Sequence, residues 1–507
     1  MISFVGLRKT LSEPVRTRKR TDGELQAVTV LDEFSSQSFS NDMNLWPVDP
    51  SQFKIDIPII EPDFLLVESA WQGNSGKWRY MVTSNSGPKA QLVELVAYCR
   101  SAGIPTVFWN KEDPPHFEEF LPTAKLFDYI LTTDADMIPA YERETSALGV
   151  SLLRFAANRR LHNPSQVEDF RRGDIAFAGQ YFAHKFPERR AQMDVLFSEA
   201  QRYNFAIYSR ALGGDPRYQF PAPYIKSVVG SLPYSEMVDA YKKHKVFLNV
   251  NSVVTSSSMC ARRVYELSAT KTAVVGMYSD AIRSVFGENE ILLGKDRQSV
   301  REIFEYLLEG PQAEMHRRVT TQRAWRETLS RHTYQHRVAE IAALIGKPLP
   351  KSRVEVVLTA SKVTENLIED LQKQEFSLEG SVTFTVKDSQ GDTVLIRNFG
   401  GGENGDQATT YRGYLDSRYR FGRHYLNDLV LALSQTDELF VAKSTGSAEE
   451  MTVLGLPDHG WLGRIGQPEF EELISIPDLR AAVRVYLSDP CSISLPSLEQ
   501  HREIFDV

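Results

Sequence analysis

The sequence has few cysteines and no long apolar segment. Among its 507 residues only three are cysteines, Cys99, Cys260 and Cys491, and no two form a Cys-x-x-Cys pair. This spacing argues against a disulfide scaffold and against a zinc site of clustered cysteines. No run reaches the roughly 18–20 apolar residues of a membrane span, and the basic N-terminus lacks the apolar stretch of a signal peptide. We therefore expect a soluble, cytoplasmic protein without a transmembrane segment.

An excess of positive charge is also absent. The chain carries 58 Lys and Arg against 66 Asp and Glu, which gives a formal net charge of −8. Proteins that coat DNA or RNA need basic surface for the phosphates, so we expect no nucleic acid partner. With 42% hydrophobic and 24% charged residues, the composition is that of a globular protein. The length suggests about three domains of roughly 150 residues each.

Short motifs of several enzyme classes are missing as well. The sequence contains no His-Glu-x-x-His, no P-loop and no Gly-x-Ser-x-Gly, which are signatures of zinc proteases, nucleoside triphosphatases and serine hydrolases. A Gly-x-Gly-x-x-Gly spacing occurs at Gly400, Gly402 and Gly405. The residues after it lack the pattern of an amphipathic helix, which the phosphate-binding form of this motif requires. We therefore predict no dinucleotide site there.

Short apolar runs alternate with amphipathic segments between residues 51 and 345. This alternation is typical of parallel strands covered by helices on both faces. A break at residues 162–173 predicts two Rossmann-like domains, residues 51–165 and 166–345, with a cleft between them. The predicted strands are Phe64–Val67, Thr106–Trp109, Tyr129–Leu131, Ile175–Ala178, Phe205–Tyr208, Val246–Val250, Ala273–Gly276 and Ile291–Leu293. The predicted helices are Gln91–Cys99, Met137–Leu148, Ser235–His244, Val300–Leu308 and Gln312–Ile345.

The two ends of the chain differ from this block. Residues 1–50 lack sustained periodicity and contain a polar stretch at Ser35–Ser38, so we predict a weakly ordered extension. Residues 351–507 form a third region, with predicted strands at Val354–Leu358 and Val382–Val386 and a helix at Thr364–Gln374. The predicted fold class is α/β, with two Rossmann-like domains and a smaller C-terminal α/β domain.

Polar side chains follow three predicted strands of the first half. Ligands of parallel sheets bind beyond the carboxyl ends of the strands, so we expect these side chains to meet at one edge. Asp113, His116 and Asp134 are the candidates for general base and acceptor activation, although Asp134 equally suits a helix cap and each cluster alone suits a solvated loop. The further acceptor or cleft candidates are Glu68, Trp71, Gly73, Asn74, Asn110, Lys111 and Glu112.

The second half contains a candidate phosphate loop after Ile175–Ala178. Gly179 would let the backbone approach a phosphate closely, and Lys185, Arg189 and Arg190 could neutralise it. A basic helix face is the structural alternative.

A Ser-rich loop at 255–258 leads to a second candidate anion site. Ser258 belongs to this loop, and Arg262 and Arg263 offer forked donors that match phosphate. Glu266 follows and could accept from a ribose hydroxyl. Helix capping is the structural alternative for the loop.

These motifs resemble those of a known family. The segments PDFLLVESAWQGNSGKW, PTVFWNKEDPPHF, FDYILTTDAD, IAFAGQYFAHKFPERR and SMCARRVYELSATKTAVVG resemble the CgeB-like glycosyltransferases, named for a spore-maturation protein, in content and in order. That family is similar to glycosyltransferases of the GT-B fold, in which two Rossmann-like domains face each other. The resemblance implies that the N-terminal domain receives the acceptor and the C-terminal domain binds a nucleotide-sugar donor.

The resemblance also implies roles for single positions. Gly179 and Lys185 match the Gly…Lys spacing of the donor loop, where Gln180 replaces the arginine expected after the glycine. Glu266 is the implied ribose ligand. Many retaining GT-B enzymes carry a second glutamate eight residues earlier, where this chain has Ser258. Retention or inversion therefore stays open.

The C-terminal region shows a second resemblance. VEVVLTASKVTENLIEDLQKQEF and LDSRYRFGRHYLNDLVLAL resemble the opening strand and helix, and the metal-binding segment, of family 2-type glycosyltransferases of the GT-A fold. The aspartate run of that segment is reduced to Asp416, with Arg418 nearby. A hard divalent ion needs clustered carboxylate oxygens and is repelled by arginine. We predict a truncated, inactive module over 351–507, with a role in binding acceptor or partner.

The leading hypothesis is a glycosyltransferase that uses a nucleotide sugar, by preference UDP-linked. The acceptor would be a cell-surface glycan, a wall polymer or a protein. GT-B chemistry needs no metal where cationic side chains and helix amides stabilise the departing diphosphate, so no metal or other cofactor is expected. The alternatives are a sugar-nucleotide epimerase on the same scaffold and a non-catalytic glycan-binding or scaffold protein. A homo-oligomer is compatible with the sequence.

Overall fold

Three large β-sheets with flanking helices form the part of the chain that the structure describes. The structure is a computed structural model. It describes residues 25–415 apart from 84–86, 166, 168, 352, 361, 378–379 and 401–407, and then 417, 420–435, 440–443, 460–464, 485–488 and 493–494. Contacts divide the chain into two units. The first holds residues up to Thr132, Met137–Leu153 and Ile341–Lys347, and the second holds Thr133–Asp136, Arg154–Glu340 and the chain from Pro348 onward.

The first sheet is wholly parallel. The strands of the first unit are β1 (Gln26–Val30), β2 (Asn44–Pro47), β3 (Phe64–Glu68), the hairpin β4 (Gln72–Gly73) and β5 (Trp78–Arg79), β6 (Thr106–Asn110), β7 (Tyr129–Thr132) and β8 (Gly149–Leu152). Its helices are α1 (Glu33–Phe39), α2 (Phe53–Ile60), α3 (Ala90–Ser101), α4 (Phe117–Ala124) and α5 (Ile138–Glu144). The sheet order is β2-β1-β3-β6-β7-β8. Every residue of β1, β3 and β6 is buried, as expected for central parallel strands that are covered on both faces.

The prediction of weak order over residues 1–50 is wrong for residues 26–47. β1 lies between β2 and β3 in the sheet, and its pattern Gln-Ala-Val-Thr-Val is short and only partly apolar. The polar residues Ser35 and Ser38 are buried on α1 rather than exposed in a loop. A helix whose buried face contains polar residues shows no apolar periodicity in the sequence, so this pattern does not predict it. Among the described residues, β1 and β2 before residue 51 therefore belong to the first sheet. Residues 1–24 lie outside the described residues.

The second sheet is also parallel, in the order β11-β10-β9-β12-β13-β14. These strands are β9 (Gly173–Gly179), β10 (Phe205–Ser209), β11 (Val228–Gly230), β12 (His244–Asn249), β13 (Ala273–Met277) and β14 (Leu292–Gly294). The accompanying helices are α6 (Pro187–Ala200), α7 (Ala222–Ile225), α8 (Tyr234–Lys243), α9 (Arg263–Ala269), α10 (Asp280–Arg283), α11 (Arg297–Leu308), α12 (Ala313–Arg331) and α13 (Tyr334–Leu344). All eight predicted strands of the two sheets are confirmed, and with them the predicted fold class of α/β with two Rossmann-like sheets.

The helical run predicted over Gln312–Ile345 consists of two helices, α12 and α13, with a break between them. Thr333 forms an isolated β-bridge with Ala157. Ala157 donates to the carbonyl of His332 at 2.9 Å and accepts from Tyr334 at 3.0 Å. These bonds draw backbone groups away from the helical pattern, so one helix becomes two.

The third sheet is mixed, in the order β17-β16-β15-β18-β21-β20-β22. Its region contains β15 (Arg353–Ala360), β16 (Ser381–Lys387), β17 (Thr393–Phe399), β18 (Ala408–Leu415), β19 (Arg420–Phe421), β20 (Phe440–Lys443), β21 (Gly460–Arg464), β22 (Val485–Ser488) and β23 (Ile493–Ser494) with α14 (Glu365–Gln372) and α15 (Tyr425–Ser434). The two strands and the helix predicted here are confirmed. Asp416, Gly402 and Gly405 lie outside the described residues, and the likeness to a GT-A module stays a prediction.

The helix α15 is joined to α12 by buried polar contacts. Asp428 accepts from Arg326 Nε at 2.8 Å, from Arg326 Nη2 at 3.0 Å and from Gln322 at 2.8 Å. Gln435 accepts from the indole of Trp325 at 2.7 Å. The C-terminal region therefore packs on the helix that follows the second sheet. Across the described part of the chain, no helix is both long enough and apolar enough to span a bilayer.

Candidate functional site

Three charged side chains meet at the carboxyl edge of the first sheet. Asp32 follows β1, Glu68 ends β3 and Lys111 follows β6. Lys111 Nζ lies 3.0 Å from Glu68 Oε1 and also contacts the carboxylate of Asp32. The structure thus brings Glu68 and Lys111 together as the strand order predicted. Asp32 was missed because β1 was missed.

Burial governs the electrostatics of this cluster. Glu68 is fully buried, which raises its pKa to about 7 although the Lys111 ammonium opposes the rise. Burial also disfavours the charged form of Lys111, but the carboxylates of Glu68 and Asp32 outweigh it and raise the pKa of Lys111. Asp32 is the member that solvent reaches, with a side chain that is 38% exposed against 9% for Lys111.

Asp113 is part of a closed hydrogen-bond network. Its carboxylate is fully buried and accepts from Asn110 at 2.8 Å, from Thr132 at 2.6 Å and from the hydroxyl of Tyr141 at 2.9 Å. Burial and this carboxylate raise the pKa of Tyr141. The contacts favour a role of Asp113 in fixing the loop after β6 to β7 and α5. Proton abstraction by Asp113 stays a prediction.

His116 lies at the surface beside Trp71. Its Nδ1 is 3.0 Å from Glu119 Oε1, and its ring meets the indole of Trp71 edge-on at 5.6 Å between centroids. The Trp71 indole also packs edge-on against Phe120. Trp71 is 38% exposed, so an aromatic face and an imidazole are presented together to solvent. Of the predicted catalytic residues, His116 is the one that the structure makes accessible.

Asn74 and Gly73 serve the scaffold of the first unit. The Asn74 amide donates to the carbonyls of Thr29 at 2.8 Å and Val48 at 2.9 Å, and its oxygen accepts from Leu31 at 3.1 Å. A Cβ on Gly73 would lie 2.8 Å from Val30 Cγ1, so this position needs glycine. Both residues hold the loop after β3 against the neighbouring strands. The structure gives them no accessible polar group for an acceptor.

The backbone amide of Glu112 holds the loop after β6. It donates to Asn110 Oδ1 at 3.1 Å. Asn110 itself is buried, and its amide donates to Asp113 in the same loop and to the hydroxyl of Tyr141 on α5. Asn110 therefore supports this loop, and an acceptor contact of the Glu112 side chain stays a prediction.

Asp134 is not grouped with Asp113 and His116. Residues Thr133–Asp136 belong to the second unit, where Asp134 is buried and accepts from Ser256 Oγ at 2.7 Å. Ser258 Oγ in the same loop accepts from the amide of Ala135 at 2.7 Å. Asp134 follows the end of β7 by two residues, as the strand order predicted, and its role in activating an acceptor stays a prediction. Its side chain and that of Ser258 are used to hold the Ser-rich loop.

Guanidinium groups collect at the carboxyl edge of the second sheet. Arg189 is buried and donates to the carbonyl of Val250 at 2.8 Å and to Ser252 Oγ at 3.3 Å. Its Nε is buried without a hydrogen-bond partner among the described residues. A Cβ on Gly179 would lie 3.4 Å from Arg189 Nη2. The predicted Gly179 and Arg189 therefore meet, and the glycine gives access to the guanidinium.

Neighbouring positive charges act on Arg189. Burial, followed by the positive charges of Arg263 and Arg210, lowers the pKa of Arg189 to about 10. Arg263 donates to the hydroxyl of Tyr241 through Nε at 3.4 Å. Cations held close to each other in a partly desolvated place favour a bound anion. Arg210 was missed by the sequence analysis because no motif marks it.

Lys185 is held between two aromatic rings. Its Nζ lies 5.1 Å from the ring centroid of Phe182 and 5.0 Å from that of Phe186. Arg190 donates to the carbonyls of Phe182 and Lys185 and so orders the loop. Lys185 is half-buried, and its phosphate contact stays a prediction.

Glu266 is the centre of a buried polar network. It accepts from the hydroxyls of Tyr234 at 3.1 Å and Tyr241 at 2.8 Å, and Arg262 Nη1 lies 3.3 Å from its Oε1. Burial opposes the charge of Glu266, but Arg262, His162 and Arg263 together hold its pKa below the ordinary value. The guanidinium of Arg262 also stacks on the ring of Tyr234 at 4.7 Å.

The two neighbouring arginines that the sequence grouped together differ in their contacts. Arg262 forms an ion pair with Glu266, whereas the charge of Arg263 acts on both Glu266 and Arg189. Because Glu266 is fully buried, its contact with a ribose stays a prediction. Over the described residues no three His, Cys, Asp or Glu side chains are placed to hold a metal ion.

The match to a known family concerns this second half. Residues 189–343 match a family model described as glycosyl transferase-like. The match includes Arg189, Arg262, Arg263 and Glu266 and confirms the prediction that this segment is of glycosyltransferase type. A search of curated proteins gave no match.

Solved structures show distant similarity. HepE of Anabaena in complex with UDP has 12% identity and a TM-score of 0.42, covering 63% of this chain and 91% of that one. Sucrose-phosphate synthase of Thermosynechococcus elongatus has 13% identity and a TM-score of 0.38, with coverages of 59% and 76%. The N-terminal domain of a Candida albicans trehalose-6-phosphate phosphatase has 10% identity and a TM-score of 0.38, with coverages of 66% and 98%.

Proposed function

We propose that the protein is a glycosyltransferase, of the CgeB-like kind, that binds a nucleotide-sugar donor at the carboxyl edge of its second sheet. The observation that carries this proposal is the place of Arg189 and Arg210 beside Gly179, with Arg263 near enough for its charge to act on Arg189. It lies where parallel α/β sheets bind ligands. The segment 189–343, which supplies all three arginines, is also the one that matches the glycosyl transferase-like family.

The chemistry that such a cluster supplies is stabilisation of the leaving group. Transfer of the sugar leaves a nucleoside diphosphate, on which negative charge develops as the glycosidic bond to phosphate breaks. Guanidinium groups fixed before the reaction stabilise that charge without reorganisation, and their forked donors match phosphate oxygens. We propose that these cations make a metal ion unnecessary. UDP is the first nucleotide to test, as the sequence suggested.

We propose that the first unit receives the acceptor. His116 is accessible and is hydrogen-bonded to Glu119, which would stabilise the imidazolium after it takes a proton from an acceptor hydroxyl. The exposed indole of Trp71 beside it offers an apolar face for a sugar ring. The acceptor class remains the one expected from sequence, a cell-surface glycan, a wall polymer or a protein.

The experiment that tests the donor site is thermal unfolding with nucleoside diphosphates and nucleotide sugars, each in EDTA and in manganese. A ligand at about 100 times its Kd stabilises its protein by ~2.7 kcal/mol. A shift in EDTA is expected. A shift seen only with manganese would contradict metal independence, and no shift with any nucleotide would contradict the donor site.

A second assay separates transfer from the rival activities. Release of free nucleoside diphosphate that depends on acceptor supports transfer. Conversion of the nucleotide sugar to its epimer without acceptor would instead favour an epimerase. Binding without any turnover would favour a glycan-binding or scaffold role.

A further inference from the structure

The donor loop lacks the arginine that its family resemblance leads one to expect, because Gln180 follows Gly179. A cation is nevertheless present at this place. Arg210 follows β10, which is the parallel neighbour of β9, and the register pairs Ser209 with Gly179. Arg210 therefore stands level with Gln180, one strand to the side.

Two hydrogen bonds tie Arg210 to the donor loop. Its amide donates to the carbonyl of Gly179 at 3.1 Å, and its Nη2 donates to Gln180 Oε1 at 2.9 Å. The second bond orients the guanidinium plane, since the five donors of an arginine lie in a rigid fork. The uncharged side chain of Gln180 thus positions the guanidinium of Arg210.

The position of Arg210 is also close to the buried cation of the cluster. Gly179, to which Arg210 is bonded, packs against Arg189 Nη2. Arg210 is exposed, whereas Arg189 is buried. A ligand that enters from solvent would meet Arg210 first and Arg189 at the base of the site.

We infer that Arg210 supplies, from β10, the diphosphate-binding cation that position 180 lacks. This inference rests on the proposed function and specifies one of its ligand contacts. Since the guanidinium reaches the same edge from the neighbouring strand, its charge and the charge of an arginine at 180 would be interchangeable. Arginines at both positions 180 and 210 would place two cations side by side, and these would repel each other.

The interchange gives a test in the full-length protein. UDP, GDP and ADP binding is measured by calorimetry for the wild type, Arg210→Ala and the double variant Gln180→Arg with Arg210→Ala. Loss of a hydrogen bond to a charged phosphate is expected to weaken binding about tenfold or more in Arg210→Ala. The double variant is expected to recover most of this loss.

The matched control is Arg172→Ala. Arg172 is exposed, pairs with Asp169 and precedes β9, at the opposite edge of the same sheet, so its loss should leave nucleotide binding unchanged. Unfolding of each variant without ligand shows whether it is folded. If Arg210→Ala is unfolded, Arg210→Lys is tested in its place. Lysine keeps the positive charge but lacks the forked donors of the guanidinium, so weaker nucleotide binding is expected.

The outcomes separate the two claims. If Arg210→Ala binds the nucleotides as tightly as the wild type does, the assignment of Arg210 is wrong and the proposed function still stands. Failure of the double variant to recover would overturn the interchange with position 180. A wild type that binds none of the three nucleotides would overturn the donor site and this inference together.

Discussion

The buried ion cluster of the first sheet leads to a prediction on stability. We expect Lys111→Met to destabilise the first unit by ~3–5 kcal/mol at pH 8, the usual cost of removing one partner of a buried ion pair. Lys111 is 9% exposed and Glu68 is fully buried, so the variant would leave a carboxylate without its cation and without water. For a unit of this size the loss corresponds to a fall in Tm of about 10 °C.

The pH dependence of that loss tests its cause. Glu68 already has its pKa raised to about 7 by burial. Because the folded state then binds the proton more tightly than the unfolded state, Glu68 lowers stability as the pH rises from its ordinary value of 4.5 towards 7. At pH 5 the variant can protonate Glu68 and avoid the buried charge. We therefore expect Lys111→Met to cost less at pH 5 than at pH 8.

Thermal unfolding of three variants at both pH values is the assay. Adding Glu68→Gln to Lys111→Met removes the unpaired charge and should restore much of the stability at pH 8. Lys54→Met is the matched control, since Lys54 pairs with Glu94 at the surface, where both side chains are more than half exposed. Such pairs contribute ~0–1 kcal/mol. An equal loss in Lys111→Met at pH 5 and pH 8, or a loss no larger than that of Lys54→Met, would refute the reasoning.

Three further predictions concern the sites and the C-terminal region. Arg263→Ala should weaken nucleotide binding about tenfold or more, measured by calorimetry; unchanged affinity would show that the donor site is misplaced. His116→Ala should lower the turnover number with little change in donor affinity; an unaltered turnover number would exclude His116 as the base. Asp428→Ala should destabilise the second unit by ~3–5 kcal/mol, because Arg326 loses a buried partner. The loss is measured by thermal unfolding. A loss below ~1 kcal/mol would mean that the contact between α12 and α15 contributes little to stability.

The strands of the first two sheets could be predicted because their physical requirement is simple. A parallel strand covered on both faces must be apolar over most of its length, and Val246–Leu248 in β12 meets that condition. The order of the polar clusters followed from the rule that strand ends meet at one edge. β1 was missed because Gln26 and Thr29 interrupt its apolar residues. Ser35 in the helix after it is buried and donates to Glu68, a partner from another strand.

Side-chain pairing could not be predicted, since it depends on residues distant in sequence. Asp113 has the residue type of a general base, yet Thr132 and Tyr141 close a network around it. Asp134 has the same residue type, yet Ser256 occupies its carboxylate. From sequence alone, a carboxylate after a strand is a candidate general base. Its burial and its hydrogen-bond partners in the structure indicate whether it is free to act as a base or supports a loop.

Arg262 and Arg263 show that side-chain partners could not be predicted even for two adjacent residues. Consecutive residues of a helix point about 100° apart, so two neighbouring cations at the start of α9 cannot serve one ligand in the same way. Arg262 pairs with Glu266 and stacks on the ring of Tyr234. Arg263 donates to the hydroxyl of Tyr241, and its charge acts on both Glu266 and the buried Arg189. A diphosphate bound as proposed would add negative charge beside Arg189 and Arg263, so Arg263→Ala should lower affinity, whereas Arg262→Ala should first lower stability by removing the ion-pair partner of the buried Glu266.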